Sequence, residues 1–186
     1  MTLFMPSNST NGRRRLLTRI VQLFGVTGLG FLSYPFFKVL MPGLSSDGTL
    51  EVDYSDLGVG DWKAVPWLGR RVIVFRRGLT WHRSEPIPLK DPLSTQSSQP
   101  DFARNEKRSH RDDVFIFFSN CTHLGCEVAI DAGKRGAPIE CPCHQSRFDG
   151  AGRVYGDAVA KTNLEVPFYR PISANAIRLE RRSESA

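Results

Sequence analysis

Cysteine and histidine are scarce in this chain, with four of each among 186 residues. Acidic residues are absent before Asp47, and no charge of either sign lies between Ile20 and Phe37. No basic stripe with interleaved aromatics is present, although the formal net charge is +6. These gaps exclude several readings. Residues 1 to 46 hold five basic residues, Arg13, Arg14, Arg15, Arg19 and Lys38, which leaves 20 of the 25 for the rest of the chain, against 19 acidic ones. The body is therefore nearly neutral, and its charge gives no footprint for nucleic acid.

The uncharged run from Ile20 to Phe37 is the one long apolar stretch. As a helix it spans about 27 Å, and with Leu16, Leu17, Val39, Leu40 and Met41 it is long enough for a bilayer core of about 30 Å. Gly25, Gly28 and Gly30 lie inside it. With no strand before them they do not form a nucleotide-binding loop, and a helix in lipid tolerates them. The expectation is a basic N-terminus over 1–19, an anchor over 20–41 and a flexible linker over 42–50. The arginines before the run place the N-terminus in the cytoplasm and the rest across the membrane. Arg13-Arg14-Arg15-Leu16-Leu17 also resembles a twin-arginine export signal, and no small-x-small cleavage site follows, so the anchor reads as uncleaved.

With 40% hydrophobic residues, the remainder can bury one core. Short apolar runs bounded by Gly and charge predict strands at Val72–Phe75, Val114–Phe118, Ile139–Cys141, Arg153–Tyr155, Leu164–Phe168 and Ala176–Glu180. Turns are expected at Asp131-Ala-Gly133 and Asp149-Gly150. Many short strands argue a mainly β domain, an antiparallel sandwich or small barrel, over 51–186. A long polar passage, Arg83 to Asp113, separates the first two runs and is expected to be functional or partly helical. His82 and His110 read as surface histidines, and Trp62, Trp67 and Trp81 as core or interface packing.

What is present is concentrated. Cys121-Thr-His123-Leu-Gly-Cys126 and Cys141-Pro-Cys143-His144 hold every cysteine and two of the four histidines. Each box offers one Cys and one His at a spacing that a single turn can present to a metal. A zinc site could use such a set, but the usual finger order is Cys-Cys then His-His. A two-iron, two-sulfide cluster with Cys on one iron and His on the other suits the mixed order better.

The two boxes resemble those of the Rieske iron-sulfur proteins. The tract Ser98 to Ser109 resembles the insertion in the Rieske subunits of proteobacterial quinol:cytochrome c oxidoreductases, the cytochrome bc complexes. The resemblance implies a Rieske-type antiparallel β-sandwich with a cluster-binding subdomain over about 119–160. It implies one 2Fe-2S cluster, held by Cys121 and Cys141 on one iron and His123 and His144 on the other, and a disulfide between Cys126 and Cys143. By the same resemblance, Leu124 shields the cluster, Ser146 donates toward a bridging sulfide, and His144 or His123 takes the proton of a quinol. The partners implied are cytochrome b and a c-type cytochrome in a dimeric complex of the bacterial inner membrane, with the cluster domain periplasmic and the 42–50 linker as its hinge.

Three departures from the family pattern bear on the site. Gln145 follows His144 where Gly is usual, and Phe148 stands where high-potential members carry Tyr. Val159-Ala160-Lys161 replaces a Pro-Ala-Pro lid, so either Lys161 acts electrostatically near the cluster or the loop is looser. Two other assignments stay open at this point: the small subunit of a periplasmic molybdenum oxidase of the arsenite oxidase type, and a zinc-stabilised, membrane-anchored interaction domain.

Overall fold

The computed structural model describes residues 9–40, 48–78, 81, 87–97, 99–134, 136 and 138–181. These belong to two units, divided between Ser46 and Asp47. In the first, helix α1 runs from Ser9 to Leu40. Its stretch Gly12–Phe37 is, by length and composition, apolar enough to cross a membrane. Two of the polar side chains inside it are satisfied locally. Thr27 and Ser33 donate their hydroxyls to the Leu23 and Leu29 carbonyls at 2.8 and 2.6 Å, which removes the cost of carrying unpaired hydroxyls into lipid.

The second unit is mainly β. Its strands are β1 (Leu50–Asp53), β2 (Trp62–Trp67), β3 (Arg70–Phe75), β4 (Phe115–Phe118), β5 (Ala129–Ile130), β6 (Ile139–Cys141), β7 (Ser146–Phe148), β8 (Tyr169–Ser173) and β9 (Ala176–Leu179). They form three antiparallel sheets in the orders β1-β9-β8, β2-β3-β4 and β5-β6-β7. Val72 to Phe75 and Phe115 to Phe118 are buried throughout because each of these runs is covered on both faces. One core joins the three sheets through Val52, Ile116, Ile139, Phe148 and Leu179.

Two expected strands are different in kind. Leu164–Phe168 is not a regular strand and gives β4 only one bond, from the Phe118 amide to the Glu165 carbonyl at 3.0 Å. Pro167 has no N–H to continue a ladder, and the chain pairs regularly only from Tyr169. Arg153–Tyr155 reduces to isolated bridges, Val154 with Phe148 and Tyr155 with Leu89. Both predicted turns form, closed by the Asp131 and Asp149 side chains accepting from Gly133 and Ala151 at 3.0 and 2.9 Å. Of the expected linker, residues 42–47 lie outside the described residues. Gly48 is buried, and its carbonyl accepts from the Trp67 indole at 3.0 Å.

Where it is described, the long polar passage is packed rather than open. Within it Asp101–Ala103 forms a single turn of 3-10 helix, and Arg108 is fully buried. The Arg108 guanidinium donates to Gln99 Oε1 at 2.7 Å and to the carbonyls of Ala151, Gly152 and Leu164 at 3.0, 3.1 and 2.6 Å. Arg77, equally buried, donates to the carbonyls of Asp112, Gly150 and Lys107 at 3.0, 2.9 and 2.7 Å. Burial pulls both guanidiniums down to about 9, and the negative charge of Asp149 opposes that pull. His110 is exposed, as expected, and stacks on Phe102 at 4.0 Å. His82 lies outside the described residues. Trp67 packs on Phe118, whereas Trp62 is largely exposed.

Candidate metal centre

Three loops meet at one end of sheet β5-β6-β7. The first leaves β4 and returns through a bridge between Asn120 and Glu127. It is closed by the Cys121 amide donating to the Cys126 carbonyl at 2.7 Å and the Gly125 amide to the Cys121 carbonyl at 2.9 Å. Gly125 has φ +83°, which a side chain adopts only with strain. The second is the turn between β6 and β7, where Cys141 pairs with Ser146. Gln145 takes φ 55° there, at the position where Gly was the family expectation. The third runs from Ala158 to Thr162 and is tied to both others. Thr122 Oγ1 donates to the Thr162 carbonyl at 2.6 Å, and the Ala160 amide donates to Ser146 Oγ at 3.0 Å.

These loops bring the site residues of the sequence together. The rings of His123 and His144 meet edge to face with centroids 4.8 Å apart. Cys126 and Cys143 are joined as a disulfide across a Cα separation of 6.6 Å, the expected pairing. Cys121 and Cys141 remain free and buried. The sulfurs of Cys126, Cys141 and Cys143 lie within 4.8 Å of one another. Two of these three are consumed by the disulfide, so this trio offers one thiolate rather than three. Ser146 is buried, while Leu124 stands 74% exposed at the tip and covers little of the chain itself.

The donor set fits an iron-sulfur group. Burial, then the neighbouring Cys141 thiol, pushes the Cys121 thiol up to about 11, against hydrogen bonds from the His123 amide and the Ser146 hydroxyl. Two facing thiols in such a pocket ionise together only beside a strong cation, which bound iron supplies. His123 Nδ1 is buried without a hydrogen-bond partner among the described residues. A buried lone nitrogen beside two free thiols is otherwise a cost, and metal coordination removes it.

The family model described as the Rieske [2Fe-2S] domain matches residues 51–167. The chain belongs to the Rieske [2Fe-2S] family. Its cofactor is the 2Fe-2S cluster of that domain, which rules out the zinc-stabilised alternative. The Rieske chain is 34% identical over 170 residues to the ubiquinol-cytochrome c reductase iron-sulfur subunit of Allochromatium vinosum, covering 83% of this chain and 82% of that one. The subunit of the same name from Blastochloris viridis is 29% identical, with 90% and 92% covered. That from Rhodospirillum rubrum is 30% identical, with 86% of each covered.

Several residues that shape this Rieske site carried no signal in the sequence. Lys90 Nζ donates to the carbonyls of Ala158 and Ala160. Asn163 Nδ2 donates to the Asp91 carbonyl at 2.8 Å and to Ser94 Oγ at 2.9 Å. Burial pushes the Asp91 carboxyl up, but hydrogen bonds from Ser97, Thr95 and Gln96 together outweigh it and hold the group below the usual range. The third loop is therefore tied down without its prolines, and Lys161 is exposed to solvent.

Proposed function

We propose that this chain is the electron-transfer subunit of a membrane quinol:cytochrome c oxidoreductase. It takes one electron from quinol and passes it to a c-type cytochrome. Cys121 and Cys141 bind one iron and His123 and His144 the other, with the Cys126–Cys143 disulfide clamping the two loops. The observation that carries this reading is the pairing of two free buried thiols with two juxtaposed imidazoles, one of them exposed. When bound, the cluster supplies a one-electron acceptor whose potential is raised by imidazole in place of thiolate. His144 stands at the surface, where its free ring nitrogen accepts a hydrogen bond from the quinol hydroxyl and then its proton. Leu124 beside it offers an apolar rim to the quinol ring and to the face of cytochrome b.

α1 anchors the subunit in the bacterial inner membrane, with the basic N-terminus cytoplasmic and the Rieske domain periplasmic. That side is oxidising, in accord with the disulfide. Cytochrome b and a c-type cytochrome are the partners, in a dimeric complex, and the hinge expected over 42–50 is confined to the part before Gly48, since Gly48 is packed against Trp67 and β1 begins at Leu50. The names of the relatives favour ubiquinol over menaquinol. Affinity purification of the chain from detergent-solubilised membranes tests the reading. A copurifying b-type cytochrome and inhibitor-sensitive quinol oxidation are expected; a copurifying molybdenum subunit without quinol oxidation overturns it.

A further inference from the structure

We infer that Lys90 is a positioning residue for the cluster: it locks the 158–160 loop so that the Ser146 hydroxyl is held toward the cluster site, and thereby raises the reduction potential. This rests on the reading of Cys121 and Cys141 as iron ligands. The chain of contacts is continuous. Lys90 Nζ donates to the carbonyls of Ala158 and Ala160, the two residues that flank Val159. The Ala160 amide between those carbonyls donates to Ser146 Oγ at 3.0 Å. Ser146, having accepted that bond, is left with its own proton to give, and it sits buried on β7 at the position paired with Cys141.

Lys90 is itself well fixed. Its amide donates to the Val154 carbonyl at 3.0 Å, and the next residue, Asp91, gathers the Thr95, Gln96 and Ser97 amides at 2.7, 3.0 and 3.0 Å. The ammonium therefore reaches the loop from a rigid turn rather than from a mobile surface position. Two consequences follow for the electron. A hydroxyl held toward a cluster sulfur stabilises the reduced, more negative cluster more than the oxidised one. A bond chain of this kind also polarises its members, which strengthens the last donor. Lys90 thus does for Val159-Ala160-Lys161 what ring constraint does in a proline-built lid, by donating to the carbonyls on either side of the amide that matters.

The test is a redox titration of the cluster in the full-length, membrane-bound protein, followed by electron paramagnetic resonance, for wild type, Lys90→Met, Lys90→Arg, Ser146→Ala and the Lys90→Met/Ser146→Ala double variant. Lys90→Met is expected to weaken electron affinity about tenfold, which is about 59 mV for a one-electron couple. Lys90→Arg, which keeps charge and donors, should restore most of it. In the Ser146→Ala background the Lys90→Met shift should nearly vanish, because the two residues act through one path. Faster hydrogen exchange of the Ala160 amide in Lys90→Met is the matching structural readout. If Lys90→Met fails to fold, Lys90→Gln keeps a neutral amide donor on a shorter side chain and should give a smaller drop of the same sign. An unchanged potential in the folded variant overturns the inference. So does an equal drop with and without Ser146, which would mean that the charge alone acts. Absence of an iron-sulfur signal from the wild type would instead overturn the ligand assignment itself.

Discussion

The tip of the domain and the brace behind it are held by different chemistry. At the tip, Cys126–Cys143 joins two short loops covalently, and the free side chains of Cys121, His123, Cys141 and His144 are left to a metal group. In the brace, Arg108, Arg77, Asp91 and Asn163 tie backbone to backbone by hydrogen bonds alone. Covalent closure suits a surface that must stay exposed to a partner, because it needs no surrounding core. Buried guanidiniums suit an irregular segment, since each one satisfies several loop carbonyls that no strand can reach. The tip is therefore sensitive to redox chemistry, and the brace to loss of a single side chain.

The sharpest way to break the brace is Arg108→Met. It strands Gln99 Oε1 and the carbonyls of Ala151, Gly152 and Leu164 in a buried site, and the expected loss is about 3–5 kcal/mol. Urea denaturation measures it; a loss below about 1 kcal/mol, on the order of a surface substitution, would mean that water replaces the guanidinium. At the tip, the double substitution Cys126→Ser with Cys143→Ser opens a loop whose ends are 17 residues apart. It should cost about 3 kcal/mol by the same assay, and reductant should have no further effect on that variant.

Smaller changes sharpen the contrast. Phe148 is fully buried on β7, on the same face as Ser146 and across from the β6 strand that ends in Cys141. Phe148→Tyr should raise the cluster midpoint by roughly 40 mV, the equivalent of about 1 kcal/mol of added hydrogen bonding. A lowered or unchanged midpoint in a redox titration would sink that reading. Gln145 carries a left-handed φ of 55°. Gln145→Gly relieves a strain of about 1–2 kcal/mol, less the larger chain entropy of glycine, for a net gain of about 0.5 kcal/mol in thermal denaturation. Gly125→Ala at the matching place in the other loop should act in the opposite direction.

The brace also has a pH signature. The Asp91 carboxyl is held below its ordinary value in the fold, so its contribution is complete above the unfolded value of about 3.9 and is lost as the pH falls through the folded one. Acid denaturation followed below pH 4, about the unfolded carboxylate value, should show a steeper fall for wild type than for Asp91→Asn.

How much of this was legible in the sequence follows the same division. The boxes could be read because Cys and His are rare and their chemistry is specific, so residue type and spacing named the site. Apolar runs such as Val72–Phe75 announced their strands by hydrophobicity. β1, β2, β5, β7 and β8 escaped: β1, β5 and β7 are only four, two and three residues long, too short to show a period, and Pro66 and Pro171 interrupt β2 and β8. Lys90 and Arg108 gave no warning, because a charged residue in a Pro- and Ser-rich passage reads as solvated, and Asn163 beside Lys161 and Thr162 reads the same way. Their role depends on carbonyls far along the chain, and only the folded backbone brings those together.

The most direct test of the account is a potentiometric titration of the cluster at several pH values, followed by electron paramagnetic resonance of the reduced full-length protein. With two histidines on one iron, a rhombic iron-sulfur signal is expected, with a midpoint between about −150 and +300 mV. That midpoint should fall as the pH rises through the histidine ionisations. A pH-independent midpoint near −400 mV, roughly the value of an all-cysteine cluster, or no iron-sulfur signal at all, would contradict it.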